Sequence, residues 1–182
     1  MANNCYNYIT INGNVAEIKK FSKMLEIDLS KGQEPDDLYE NLCADFGKQE
    51  DDARWFSMNV HSFDSPEEIT ISGDSAWSPC LLLFHEITKR FTSFKIRYEY
   101  EEMSSDFAGF ADITNDSFAD NCFGYWEGII ATQGETDALE QVLNNEMECY
   151  DTEEELIESD MYLAFSEESK KEILETYNEI NS

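Results

Sequence analysis

Between Arg97 and Lys170 the chain runs for 72 residues without a lysine or arginine, and 21 of those residues are aspartate or glutamate. A fold for that stretch must find solvent for its carboxylates, because burying an unpaired charge is costly. It must also tolerate their mutual repulsion. The imbalance extends to the whole chain, with 40 acids against 12 bases and a net charge of −28 over 182 residues. An apolar fraction of 41% and an aromatic fraction of 13% still predict a packed protein and not a disordered acidic tail. The length suits one domain with a real core, or one domain with an extension. Salt adaptation does not explain the acidity, because lysine outnumbers arginine nine to three and Ile, Asn and Cys are plentiful. Two explanations stay open: solubility, or a basic partner.

The longest apolar run, Cys80 to Phe84, is far too short to span a bilayer. The opening "MANNCYNYITING" lacks a basic segment followed by an apolar core. The expectation is a protein of the host cytoplasm with no membrane association. Cys5, Cys43, Cys80, Cys122 and Cys149 are odd in number, and no two have Cys-x-x-Cys spacing. They read as free thiols in a reducing compartment. No metal site and no cofactor is expected, since paired ligands are lacking and only two histidines are present.

Hydrophobic periodicity orders the elements. "CYNYITINGN" alternates Tyr6 and Tyr8 with Asn7 and Thr10 and reads as a first strand. Asn14 reads as an N-cap with Glu17 as capping-box partner, and Ile18, Phe21 and Leu25 place a helix over 15–27. The polar stretch from Leu29 to Asp52 carries a weak helical pattern at Leu38, Leu42 and Phe46. "RWFSMNVHSF" reads as a strand, and Glu68 to Ser72 as a short one with Ile69 and Ile71 on one face. Ser78 and Pro79 then suit the start of a helix that ends near Phe91, with Leu83, Phe84, Ile87 and Phe91 as its buried stripe. "FKIRYEYE" puts Phe94, Ile96, Tyr98 and Tyr100 on one strand face. "DFAGFADIT" follows through a hairpin at Ser104-Ser105, and "CFGYWEGIIA" reads as a further strand. From Thr136 the pattern turns helical, with stripes at Leu139, Val142, Leu143 and Met147 and at Ile173, Leu174, Tyr177 and Ile180. The order predicts an α+β fold, with helices on one face of a mainly antiparallel sheet. It divides into a domain over 1–131 and an acidic helical extension over 132–182.

"ISGDSAW" raises the question of a nucleophile, because some ester hydrolases place a serine in a Gly-Asp-Ser turn after a strand. Ser75 would need a base within reach and an acid to orient that base. His61 lies in a poorly patterned segment, His85 lies mid-helix, and no C-terminal Asp-x-x-His follows. The simpler reading makes Gly73 to Ser75 a strand-to-helix turn with Trp77 packed over it. No catalytic residue is assigned.

The same region carries a resemblance. "DSAWSPCLLLFHEITKRF" followed by "IRYEYEEMSSDFAG" is similar to a family of phage and plasmid proteins with a YubB-type ferredoxin-like domain of unknown function. Members carry a Thr/Ser-x-Trp-x-Pro turn, a helix, a strand ending in Tyr-x-Glu and a Phe-Ala/Ser-Gly strand. "MANNCYNYITINGN" resembles the family's opening, although Asn4 replaces its tryptophan. The likeness covers roughly residues 1–27 and 63–114. It implies a ferredoxin-like sandwich encoded on a mobile element, and no catalytic residues.

Two acidic constellations need a reading. Asp112, Asp116 and Asp120 are too widely spaced for a calcium loop, which wants denser ligands and a glycine at the bend. "ECYDTEEELIESD" suits the start of a solvated helix, where acids complement the dipole. Direct nucleic-acid binding is disfavoured, because phosphate affinity comes from Lys and Arg clusters. The inverse is the expectation: a rigid acidic fold that occupies the basic groove of a nucleic-acid-binding host protein, such as a restriction or CRISPR effector. The candidate partner-binding residues are Glu135, Asp137, Glu140, Glu146, Glu148, Asp151, Glu153, Glu154, Glu155, Glu158 and Asp160, with Glu99, Glu101, Glu102 and Asp106 beside them. A small regulatory domain whose acidity serves solubility is the alternative. The protein is expected to be a monomer or a homodimer, the latter through an exposed sheet edge.

Overall fold

Strand β1 (Asn4–Asn12) places Cys5, Asn7, Ile9 and Ile11 on one side and Tyr6, Tyr8 and Thr10 on the other. That alternation sets the two faces of everything built around it. The computed structural model describes residues 4–24, 35–49, 52–61 and 65–181. After β1 come helices α1 (Val15–Met24) and α2 (Pro35–Phe46), strands β2 (Phe56–His61) and β3 (Glu68–Ala76), helix α3 (Leu81–Arg90) and strands β4 (Lys95–Glu102), β5 (Phe107–Thr114) and β6 (Phe118–Phe123). Five helices close the chain: α4 (Tyr125–Gln133), α5 (Glu135–Asn145), α6 (Glu153–Glu158), α7 (Asp160–Ala164) and α8 (Glu167–Ile180).

The strands form one sheet in the order β2-β3-β1-β4-β5-β6, every neighbouring pair antiparallel. Strands β1 to β4 have the ferredoxin-like arrangement, in which β3 lies between β1 and β2. Helices α1, α2 and α3 cover one face. Phe21, Leu42, Phe84, Ile87 and Phe91 meet Ile9, Ile11, Ile71, Ile96 and Tyr98 there in one buried cluster. The C-terminal helices form a second cluster around Ile129, Val142, Leu156 and Ile173, which reaches the opposite sheet face at Ala108. Among the described residues no helix is long and apolar enough to cross a membrane.

A buried carboxamide ties the centre of the sheet together. Asn7 is fully buried, and its Nδ2 lies 2.7 Å from the Cys5 carbonyl, 3.1 Å from that of Gly73 and 2.9 Å from Ser75 Oγ. Its Oδ1 accepts from the Tyr98 hydroxyl at 2.9 Å, which itself accepts from the Cys80 amide at 3.0 Å. Ser75 Oγ donates onward to the Ser78 carbonyl at 2.7 Å. Three strands and the approach to α3 thus share one polar network in an apolar interior, where such bonds matter most.

The α1 cap is shared with the turn that leads from α3 into β4. Asn14 Oδ1 accepts from the Glu17 amide at 2.9 Å, but the Glu17 carboxylate turns to the amide and hydroxyl of Ser93. The segment from Leu29 to Lys31, and the ends of the expected 15–27 helix and of "RWFSMNVHSF", lie outside the described residues.

Several sequence expectations change. Strand β3 continues through Gly73-Asp74-Ser75 to Ala76, so these residues are strand and not turn. Gly73 permits this with φ 145°, since a Cβ there would lie 1.9 Å from the Ser57 carbonyl oxygen. Helix α3 starts at Leu81 and takes no cap from Ser78. Asp52, thirty residues upstream, accepts from the Leu82 and Leu83 amides at 3.1 and 2.8 Å. "CFGYWEGIIA" is the end of β6 and helix α4. A short apolar run does not distinguish a buried strand from a helix. The contact that selects the helix is Gly128, whose missing side chain lets α4 lie against the Ala108 backbone.

Two measurements check this account. Asn7→Ala leaves the Tyr98 and Ser75 hydroxyls without their partner and should cost about 3 kcal/mol in denaturant unfolding. Gly128→Ala gains about 1 kcal/mol of helix propensity, but its Cβ would stand 2.5 Å from Ala108 backbone atoms. Overpacking at 1–3 kcal/mol wins, so a net loss of about 1–2 kcal/mol in thermal or denaturant unfolding is expected.

Candidate partner-binding surface

Two surfaces bear the acids. The first is the sheet face that α1–α3 leave open. Tyr6 and Tyr8 stand on it 44% and 42% exposed, directly opposite Glu101 and Glu99 of β4. Arg97 lies further along the same strand. Its guanidinium lies 3.5 Å from the Phe110 ring centroid, its Nη1 donates to both Asp112 oxygens at 3.2 and 3.1 Å, and its Nε donates to Glu99 at 3.2 Å. Glu101 is half-buried, and no donor among the described residues reaches its carboxylate. Burial pushes its pKa up. Beside it the end of α4 supplies Thr132 and Gln133 as a wall.

The second surface is the C-terminal helical layer. Asp137 and Glu140 project from α5, and Asp151, Glu153, Glu154, Glu155, Glu158 and Asp160 line the turn into α6 and α7; all eight are exposed. None of them forms an ion pair among the described residues. Asp160 and Asp106 meet across a cleft of about 400 Å³ that also holds Tyr125, Trp126 and Leu163.

Some of the candidate acids hold the fold together. Glu135 is half-buried, and its Oε1 accepts from the Ser166 amide at 2.9 Å and the Ser169 hydroxyl at 2.6 Å, capping α8. Glu155 makes a box-like cap on α6: Thr152, the N-cap, accepts from the Glu155 amide, and the Glu155 carboxylate accepts from the amide of Asp151, one residue before the N-cap. Asp106 Oδ1 accepts from the Tyr125 amide at the start of α4. Glu102 is buried at 2% exposure; its Oε1 accepts from the Ser104 amide at 2.9 Å, and its other oxygen finds no partner among the described residues. Glu146 is half-buried, and the side chain of Glu148 lies outside the described residues.

The remaining chemical candidates separate. Ser75 is fully buried and faces the core, whereas His61 stands on the open face, 2.5 Å from Ser72 Oγ. Strand parity keeps the two apart. His85 packs against Phe118. Asp112 and Asp120 point to opposite sides of the sheet, Asp112 toward Arg97 and Asp120 toward Tyr100. Among the described residues no three metal-ligating side chains converge. Burial raises the Cys5 thiol pKa to about 12.

Exposed apolar side chains cluster at one end of the sheet. Trp55 precedes β2, Trp77 follows β3 and Met103 follows β4, and these three ends lie together. Trp77 does not pack over the turn; it is 57% exposed with φ 67°. A tryptophan held in the left-handed region and turned to solvent is the kind of strained residue found at binding sites. A cleft of about 530 Å³ beside Trp55 carries Lys48 and Arg54, so the acidity is not uniform. Sequence reasoning passed over Tyr6 and Tyr8 as surface residues. The parity of Cys5, Ile9 and Ile11 was the signal that they face outward.

Glu135 supplies a pH test. Hydrogen bonds from Ser166 and Ser169 hold its carboxyl below the ordinary glutamate range. A depressed folded-state pKa contributes stability above the unfolded value, and this is lost as pH falls through the folded one. Melting temperature should therefore fall more steeply below the ordinary glutamate range in the wild type than in Glu135→Gln.

No curated protein and no solved structure matches the chain. A family model described as "Ferredoxin-like domain in Api92-like protein" matches residues 52–160, from Asp52, which caps α3, through β2–β6 to the start of α7. With the sheet order of its first four strands and this match over more than half its length, the chain belongs to the family of the ferredoxin-like domain in Api92-like proteins.

Proposed function

We propose that this protein is a binding protein for a basic partner of the kind that handles nucleic acids, and that its carboxylates stand where phosphates would otherwise lie. One observation carries the reading. Eight exposed carboxylates of the C-terminal layer lack any cation of their own among the described residues. Solubility alone does not require that they be gathered on one layer of a fold. Carboxylates left unpaired in this way steer a cationic partner and speed its association. The finer reading is a phage or plasmid product, acting in the host cytoplasm, that blocks a restriction or CRISPR effector by occupying its nucleic-acid groove. It draws support from the acidity and from the likeness of the turn and strand motifs to mobile-element proteins.

The test is capture of partner proteins from host lysate at low and high salt, with and without competing DNA. A dominant nucleic-acid-binding protein, released by salt and by DNA, is the expected result. The variant Asp151→Lys/Glu153→Lys/Glu154→Lys/Glu158→Lys should weaken that complex by roughly tenfold or more, mostly in association rate. A partner held equally at high salt, or bound equally by the charge-reversed variant, would overturn the proposal.

A further inference from the structure

The open sheet face carries two aromatic–carboxylate sites of similar make-up, and among the described residues only one holds a cation. In the filled site, the Arg97 guanidinium lies over Phe110, its Nη1 meets both Asp112 oxygens, and Glu99 accepts from its Nε. One position along β4 toward its end, Tyr8 faces Glu99 and Tyr6 faces Glu101. Tyr6, Tyr8, Glu99, Glu101 and the α4 residues Thr132 and Gln133 enclose a notch of about 50 Å³. A water needs roughly 10–15 Å³ by this measure, so the notch has room for a head group of about four heavy atoms. Tyr6 and Tyr8 are two residues apart on one strand, hence roughly 6.7 Å between their Cα atoms. That spacing suits one planar group between or across the rings.

We infer that this notch receives an arginine side chain of the basic partner, its guanidinium against Tyr6 and Tyr8 and its N–H groups on Glu101. The inference rests on the reading of the protein as a binder of basic partners and names the anchor within it. Guanidinium is the fitting cation, because it is planar, stacks on aromatic faces and forks to a carboxylate, whereas an ammonium does not. Arg97 shows that this face already binds a guanidinium in that manner. Glu101 contributes a half-buried carboxylate that no donor among the described residues reaches. Docking a cation there recovers part of its desolvation cost, and a charge-assisted bond in a partly dry site is among the stronger polar contacts.

The test titrates hexaarginine amide and hexalysine amide into the full chain at low salt. Affinity is read by calorimetry and the tyrosine ring signals by NMR. The wild type should favour hexaarginine, with ring shifts at Tyr6 and Tyr8. Glu101→Gln and Tyr8→Ala should each weaken hexaarginine binding by roughly five- to tenfold and bring it close to hexalysine, with melting temperatures confirming that both variants are folded. If both variants bind within twofold of wild type while charge reversal at 151–158 abolishes binding, the notch is overturned and the broader reading stands. Equal affinity for the two peptides with unshifted tyrosine signals overturns the notch as well. If neither peptide binds the wild type at low salt, the notch and the broader reading fall together.

Discussion

The rest of the structure depends on Asn7. A carboxamide with no exposed surface costs several kcal/mol unless its groups are bonded, and Asn7 satisfies its own through β1, β3 and β4 together. Those bonds fix the register of the central strands and orient Tyr98, whose hydroxyl receives the amide of the residue that precedes α3. Ser75 does the same for the loop through the Ser78 carbonyl. The Ser-Ala-Trp-Ser-Pro stretch is therefore the wrapping of a polar knot, and Ser75 is one of its strands. This also explains why Trp77 faces solvent: the chain must turn sharply there to keep Ser75 and Cys80 on the same network.

The family match begins at residue 52 and leaves out β1, yet β1 lies between β3 and β4 in the sheet. Strands β3 and β4 are never direct neighbours. The matched segment acquires a continuous sheet only when β1 is inserted, and Asn7 is the residue that locks it in place. The functional surface inherits this arrangement. Tyr6 and Tyr8 meet Glu101 and Glu99 because β1 is adjacent to β4. The same insertion that completes the core creates the aromatic–carboxylate face on its other side.

Much of the fold was legible. Alternation in "KIRYEYEE" assigned a strand and its buried face, because a period of two survives whatever the strand pairs with; "CYNYITIN" was legible as a strand, but grouping Tyr6 and Tyr8 against Asn7 missed that Asn7 is the buried one. The helical stripe through Leu83, Phe84 and Ile87 was equally plain. The misreadings share a cause. Helix α4 looked like a strand because its apolar run is short, and only the approach of Gly128 to Ala108 selects the helix. Strand β3 looked as if it ended at Ser72 because Gly-Asp-Ser is turn-like in isolation; β1 and β2 pair with it on both sides and hold it extended. The α3 cap was sought at Ser78, but Asp52 arrives from thirty residues away.

By itself the sequence determined which residues of most elements face a core, the segregation of acid from base, and the absence of a basic cluster after Arg97. These are properties of neighbours one to four positions apart, and local geometry makes them independent of the rest of the chain. Tertiary structure alone decided the strand order, and with it which acids remain free. Glu135 and Asp106 look like the other carboxylates in sequence but are spent on helix starts far along the chain. Glu102 is buried, and Glu101, one residue away, lines the open notch. That difference follows the period of two along β4, but the meeting of Glu101 with Tyr6 and of Glu99 with Tyr8 is set by register across the sheet, and no local pattern encodes it.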